Sequence, residues 1–135
     1  MGAAVRVIVQ RHRGAFGPAT VDDVSSWISI RTLAIRTALA ALGPKVRTCT
    51  DPRGRTLYDL NAAPLPAADS TAPVRFLPKW DSTLLAYAPP ERVRILSEPR
   101  RKTVIAKNGD VARDEGEHLA RVVAQGSKVH HVTVE

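Results

Sequence analysis

Cys49 could act as a nucleophile, but a thiol needs a base oriented beside it. His12 is the one histidine in the first half of the chain, and nothing in the pattern ties it to Cys49. Catalysis at Cys49 is therefore not expected. Asp22-Asp23 could form a carboxylate pair, yet adjacent acids in the first turn of a helix favour its dipole. His130-His131 invites a metal ion. Neighbouring side chains on a strand point to opposite faces, however, so this pair is poorly arranged to chelate. A single cysteine in 135 residues rules out an intrachain disulfide framework and a multi-cysteine zinc site. There is no glycine-rich phosphate loop, and Gly54 and Gly109 read as turns. The expectation is a protein with no metal and no cofactor.

The remaining chemistry is cationic. Twenty Lys and Arg stand against thirteen Asp and Glu, giving a net charge of +7 and a pI near 10.3. Such a balance calls for an anionic partner, above all nucleic acid. The charge is uneven: residues 1–61 carry a net +5, residues 62–111 +3 and residues 112–135 −1. Aromatic residues make up only 4%, so stacking on unpaired bases is not the main mode. No apolar run approaches the ~18 residues of a membrane span, and the N-terminus lacks the pattern of a signal peptide. The expected setting is cytoplasmic and nucleoid-associated, with no membrane partner.

The elements that must position these cations follow from periodicity. Val5, Ile8 and Val9 give a first helix one apolar stripe. Gly14 to Pro18 is expected to break it, with Phe16 as a core plug. Thr20 with Asp23 predicts a capping box, and Val21, Val24, Trp27 and Ile28 continue the buried face. Ser29 to Arg31 is a short break. Thr32 is expected to cap a third helix, in which Ile35, Ala38, Leu39 and Leu42 form the apolar stripe. Gly43-Pro44 ends it. The period then changes to two: Val46 to Thr50 and Thr56 to Leu60 read as strands about an Asp51-Pro52-Arg53-Gly54 turn.

Three helices and a hairpin, in that order, predict a winged helix within an α+β fold. Its third helix would offer Arg31, Thr32, Arg36 and Thr37 to the major groove. The wing would bring Arg47, Arg53 and Arg55 to the phosphate backbone. Arg100, Arg101 and Lys102 are candidate phosphate contacts.

The Pro/Ala stretch 62–73 reads as a linker between a winged helix-turn-helix domain at 1–61 and a β-rich region at 74–135. In that second region Val74 to Leu77 starts a strand. Asp81 or Ser82 caps a short helix over Thr83 to Tyr87. Arg92 to Leu96 is a turn of helix or a strand, and Thr103 to Ala106 enters an Asn108-Gly109 turn. A helix from about residue 112 to Ala124 and a strand from Lys128 to Val134 complete the expectation.

Phe76-Leu77-Pro78, Asp81, Leu84-Leu85, Arg92-Val93, Asn108-Gly109 and Val111 resemble a family of bacterial tandem winged-helix DNA-binding proteins. That family includes alkylation-repair DNA glycosylases that unhook interstrand crosslinks. Ala15 to Thr20 with Trp27, and Pro64-Leu65-Pro66, add to the resemblance, which spans residues 5–111. It implies a winged helix packed against a partial, barrel-like β region and bound to duplex DNA. The glycosylases carry a short Gln-x-Gln-type catalytic motif in an earlier winged helix. This chain has only Gln10 and Gln125, so no catalytic residue is carried over and a non-enzymatic role is expected. Past residue 111 the chain departs from the family pattern. A fragment-like member, from a truncated or frameshifted reading frame, would fit. Two alternatives remain: a glycosylase remnant, and a protein-interaction or subunit module whose open strand edges are covered by self-association or by a partner.

Overall fold

A computed structural model describes residues 2–65, 67, 75–77, 81–99 and 120–122. Helix α1 runs Gly2–Phe16, α2 Val21–Ile28 and α3 Thr32–Leu42. A 3-10 turn at Gly43–Lys45 leads into the antiparallel strands β1, Val46–Thr50, and β2, Thr56–Leu60. The fold is α+β, with the helices packed into one core. Val5 and Val9 of α1, Val21 and Val24 of α2, and Ile35, Ala38 and Leu39 of α3 bury each other there. The two strands keep the expected bounds, and Val46 pairs with Leu60 and Thr50 with Thr56.

Two helix boundaries differ from expectation. Helix α1 passes through Gly14, and the break falls at Gly17-Pro18, because proline lacks the N–H that a helix uses and disfavours helical backbone in the residue before it. Helix α3 has Arg31, not Thr32, at its N-cap, and Arg31 makes no side-chain capping bond. Arg31 is non-helical at φ −57° and ψ 137°, so Thr32 already lies in the first turn. The capping box of α2 forms as read: Thr20 Oγ1 accepts from the Asp23 amide at 3.2 Å, and the Thr20 amide donates to Asp23 Oδ2 at 2.8 Å.

One pairing gives no local signal in the sequence. Ala19 exchanges two backbone hydrogen bonds with Tyr58 of β2, at 2.9 and 3.1 Å, so the α1–α2 connection lies along the hairpin. Pro18 ahead of it favours extended backbone, which a bridge requires.

Downstream, β3 (Arg75–Leu77) pairs antiparallel with β4 (Ala120–Val122). The expected helix to Ala124 is therefore corrected at residues 120–122, where pairing with a distant strand overrides local helical preference. Ser82–Leu85 forms a 3-10 turn capped by Asp81, whose Oδ1 accepts from the Thr83 amide at 2.8 Å. Pro89–Arg94 forms a second 3-10 turn. The strand at 103–106, the Asn108-Gly109 turn and the strand at 128–134 lie outside the described residues.

The segment 81–96 packs onto the helices and the hairpin. Ala86 and Tyr87 join Ala19 in a second small core, with Phe16 and Ile95 against it. Phe16 is thus half-buried at this seam, in the plugging role its position suggested.

Candidate nucleic-acid interface

The outer face of α3 follows from the helix period. Its buried stripe is Ile35, Ala38, Leu39 and the half-buried Leu42. A second stripe at the same i, i+3, i+4, i+7 spacing, two residues earlier, points the opposite way. It consists of Leu33, Arg36, Thr37 and Ala40, all exposed. Arg31 stands exposed at the N-terminal end of that helix. Among the described residues, neither the Arg31 nor the Arg36 side chain makes a hydrogen bond or ion pair. Helix α3 contains no acid. Thr37 Oγ1 donates to the Leu33 carbonyl at 3.0 Å, and Thr32 is half-buried.

The hairpin arginines are placed differently. Arg47 donates through Nε and Nη2 to Asp59 Oδ2, at 3.2 and 2.5 Å, and through Nη2 to the Ala63 carbonyl at 3.1 Å. Arg55 has all three guanidinium nitrogens engaged. Nε reaches Asp51 Oδ2 at 2.7 Å, while Nη1 and Nη2 fork onto Glu91 at 2.6 and 2.9 Å. Arg53 makes one longer contact, 3.1 Å to the same carboxylate, and its side chain is 66% exposed. Asp51 Oδ1 accepts the amides of Arg53 and Arg55, both at 2.9 Å, and Gly54 takes a positive φ of 76° to close the turn. The hydrogen bonds from Arg55 hold the Glu91 carboxyl below its ordinary pKa and raise that of Arg55.

Sequence reasoning found these arginines but missed Glu91. It sits 36 residues from Arg55, and no local pattern announces the pairing. Arg100, Arg101 and Lys102 lie outside the described residues, as do His130 and His131.

Behind both surfaces lies a buried polar seam. His12 is fully buried, and its Nε2 donates to the Ala86 carbonyl at 2.8 Å, which places the proton on that nitrogen. Its ring packs edge-on against Phe16 and Trp27, with centroids 5.3 and 5.0 Å away. Burial pushes the His12 pKa down despite that hydrogen bond. Arg13 is also fully buried. It donates to the Thr20 carbonyl at 2.9 Å and lies over the Tyr58 ring at 5.9 Å. Burial lowers its pKa to about 10, against the nearby charges of Asp23 and Asp59, so it remains cationic at neutral pH. Asp23 also accepts the Ala88 amide at 2.8 Å, joining α2 to the downstream segment. These polar groups fix the packing of segment 81–96 and touch no open surface.

Cys49 is buried on β1, and burial followed by the Asp59 charge raises its pKa, so it is not an activated thiol. No group of three or more His, Cys, Asp or Glu among the described residues could hold a metal ion. Nor is any described helix long and apolar enough to cross a membrane.

Comparison with known proteins places the chain in a family. Residues 2–130 match the family described as DNA glycosylase AlkZ-like. The chain belongs to that family. Among solved structures, it is similar to the Streptomyces sahachiroi DNA glycosylase AlkZ, with a TM-score of 0.61 and 24% identity. That match covers 82% of this chain and 31% of the glycosylase, so the likeness speaks for the fold. No curated protein matches. The expected kinship with a family that includes DNA glycosylases is thus established, and the family match runs from residue 2 to residue 130.

Proposed function

We propose that this member of the AlkZ-like family is a winged-helix module that grips duplex DNA through the outer face of α3 and the hairpin tip. The carrying observation is the exposed face of α3, where Arg31 and Arg36 have no described partner and no acid shares the helix. A helix of this kind fits the major groove, and free guanidinium groups neutralise phosphate or fork onto guanine. The order of three helices and a hairpin, with the α1–α2 connection bridged to β2, supports the winged-helix assignment. Arg53, exposed at the turn, adds a third cation to the footprint. Arg47 and Arg55, engaged by carboxylates, shape the hairpin. Strands β3 and β4 are the beginning of the barrel-like region that the family resemblance implies.

The module positions DNA and does not itself excise a base. Gln10 is exposed on α1 and followed by Arg11 and the buried His12, which forms no Gln-x-Gln pattern. Fluorescence anisotropy against a random-sequence duplex, at several salt concentrations, tests the grip. Three neutralised phosphates should give a log–log salt slope of about −2.7. Absence of binding at low salt would refute it. Base release from alkylated or crosslinked duplex above a no-protein control would overturn the non-enzymatic assignment.

A second reading, docking to a partner chain or to a second copy, is favoured by the exposed Leu65 and Val93. Sedimentation of a strictly monomeric chain would count against self-association.

A further inference from the structure

We infer that Leu33 is an apolar reader of the thymine methyl group in the major groove. This deepens the DNA-binding reading above and rests on it. Leu33 is the second residue of α3 and is 74% exposed, the most exposed large apolar side chain among the described residues. It does not belong to the buried stripe of α3. It heads the opposite stripe, with Arg36 one turn on, Thr37 beside it and the small Ala40 beyond.

The neighbours of Leu33 decide what would cover it. Arg31 and Arg36 flank it with positive charge, and no carboxylate on α3 offsets them. An occupant must therefore be anionic around an apolar point. Duplex DNA presents that combination: phosphates border the major groove, and the C5 methyl of thymine is the apolar feature of its base edges. The first residues of a recognition helix are those that reach base edges. Ala40 leaves room for the helix to approach closely. Thr37 spends its hydroxyl proton on the Leu33 carbonyl, so the donors this face offers are the guanidinium groups of Arg31 and Arg36 on either side of Leu33. An acidic protein surface would match the charge as well, and the comparison below separates it from DNA.

The test compares two duplexes of identical sequence, one with thymine and one with uracil at every such position. They differ in the C5 methyl. Affinities are measured by anisotropy for the full chain and for its Leu33→Ser variant, whose exposed site should leave folding intact. Burial of one methyl group corresponds to about a fourfold preference for the thymine duplex, or about 0.8 kcal/mol. The variant should bind both duplexes alike, near the affinity of the wild type for the uracil duplex, with an unchanged salt slope.

Equal binding of both duplexes by the wild type, with a steep salt slope, would overturn the inference and leave the DNA-binding reading standing. A thymine preference that survives Leu33→Ser would move the reader elsewhere. No binding to either duplex at low salt would overturn both, and binding of the same face to an acidic protein would then take its place.

Discussion

The outer face of α3 and the β1–β2 hairpin carry the same kind of charge and use it differently. Arg31 and Arg36 project from α3 with no described partner. Arg47 and Arg55 are held by Asp59, Asp51 and Glu91. Both sets looked alike in sequence, as arginines near the surface of a basic domain. The difference teaches that a count of cations overstates a binding footprint. A guanidinium whose donors are engaged must break those bonds before it can grip phosphate. The engaged arginines instead fix where the hairpin sits, and so where Arg53 is presented.

That division breaks down if the carboxylates of the hairpin prove dispensable. Asp59→Ala removes the partner of Arg47 and one of the carboxylates beside the fully buried Arg13. Stripping one partner from a buried pair costs about 3 kcal/mol or more. Thermal unfolding should therefore fall by about 10 °C for a chain of this size. An unchanged midpoint would mean that the pair is not structural.

Acid should probe the seam behind both surfaces. Burial lowers the His12 pKa in the folded protein, so the unfolded chain takes up its proton first. Stability from this group is complete above about pH 6.5, the ordinary histidine value, and is lost as pH falls toward the lower folded value. Chemical denaturation across that window should show a slope approaching about 1.4 kcal/mol per pH unit. His12→Gln should flatten it, and a wild-type profile that is already flat would contradict the burial.

Glu91→Gln sharpens the hairpin side. It should destabilise by about 1 kcal/mol, because Arg53 and Arg55 are partly solvated and the pairs are correspondingly screened. Glu91 has a lowered folded pKa, so its contribution is present above about pH 4.3 and is lost as pH falls through the folded value. The variant should lack that acid-side loss in urea titrations. Its duplex affinity at low salt should rise, since one negative charge leaves the tip; a fall would assign Glu91 to presenting Arg53.

Cys49→Ser is the smallest expected change. It should alter stability by no more than about 1 kcal/mol and leave DNA binding untouched, as checked by urea titration and anisotropy.

Much of the scaffold was legible because it is local. The capping box of Thr20 and Asp23, the apolar stripe from Ile35 to Leu42 and the Asp51–Gly54 turn are each written within a few residues. What was not legible depends on contacts distant in sequence. Gly17 has no room for a Cβ because the Asp59 carboxylate, 42 residues away, packs over it. Residues 120–122 form a strand because β3 lies beside them. The arginines of the candidate site were found by type and spacing. Their division into free and engaged required Glu91, on a segment that pattern alone did not bring to the hairpin. The outer face of α3 was legible from Arg31, Arg36 and Thr37, whereas the exposure of Leu33 on that face was implicit only in the helix period.

The central claim is that the outer face of α3 grips DNA. The most direct test is the salt dependence of duplex binding by the chain and by its Arg31→Ala/Arg36→Ala variant. Loss of two phosphate contacts should flatten the log–log slope by about 1.8, which weakens binding at 0.1 M salt by about 60-fold, with the unfolding midpoint unchanged. The same slope and affinity in both proteins would contradict the claim and place the grip on another surface.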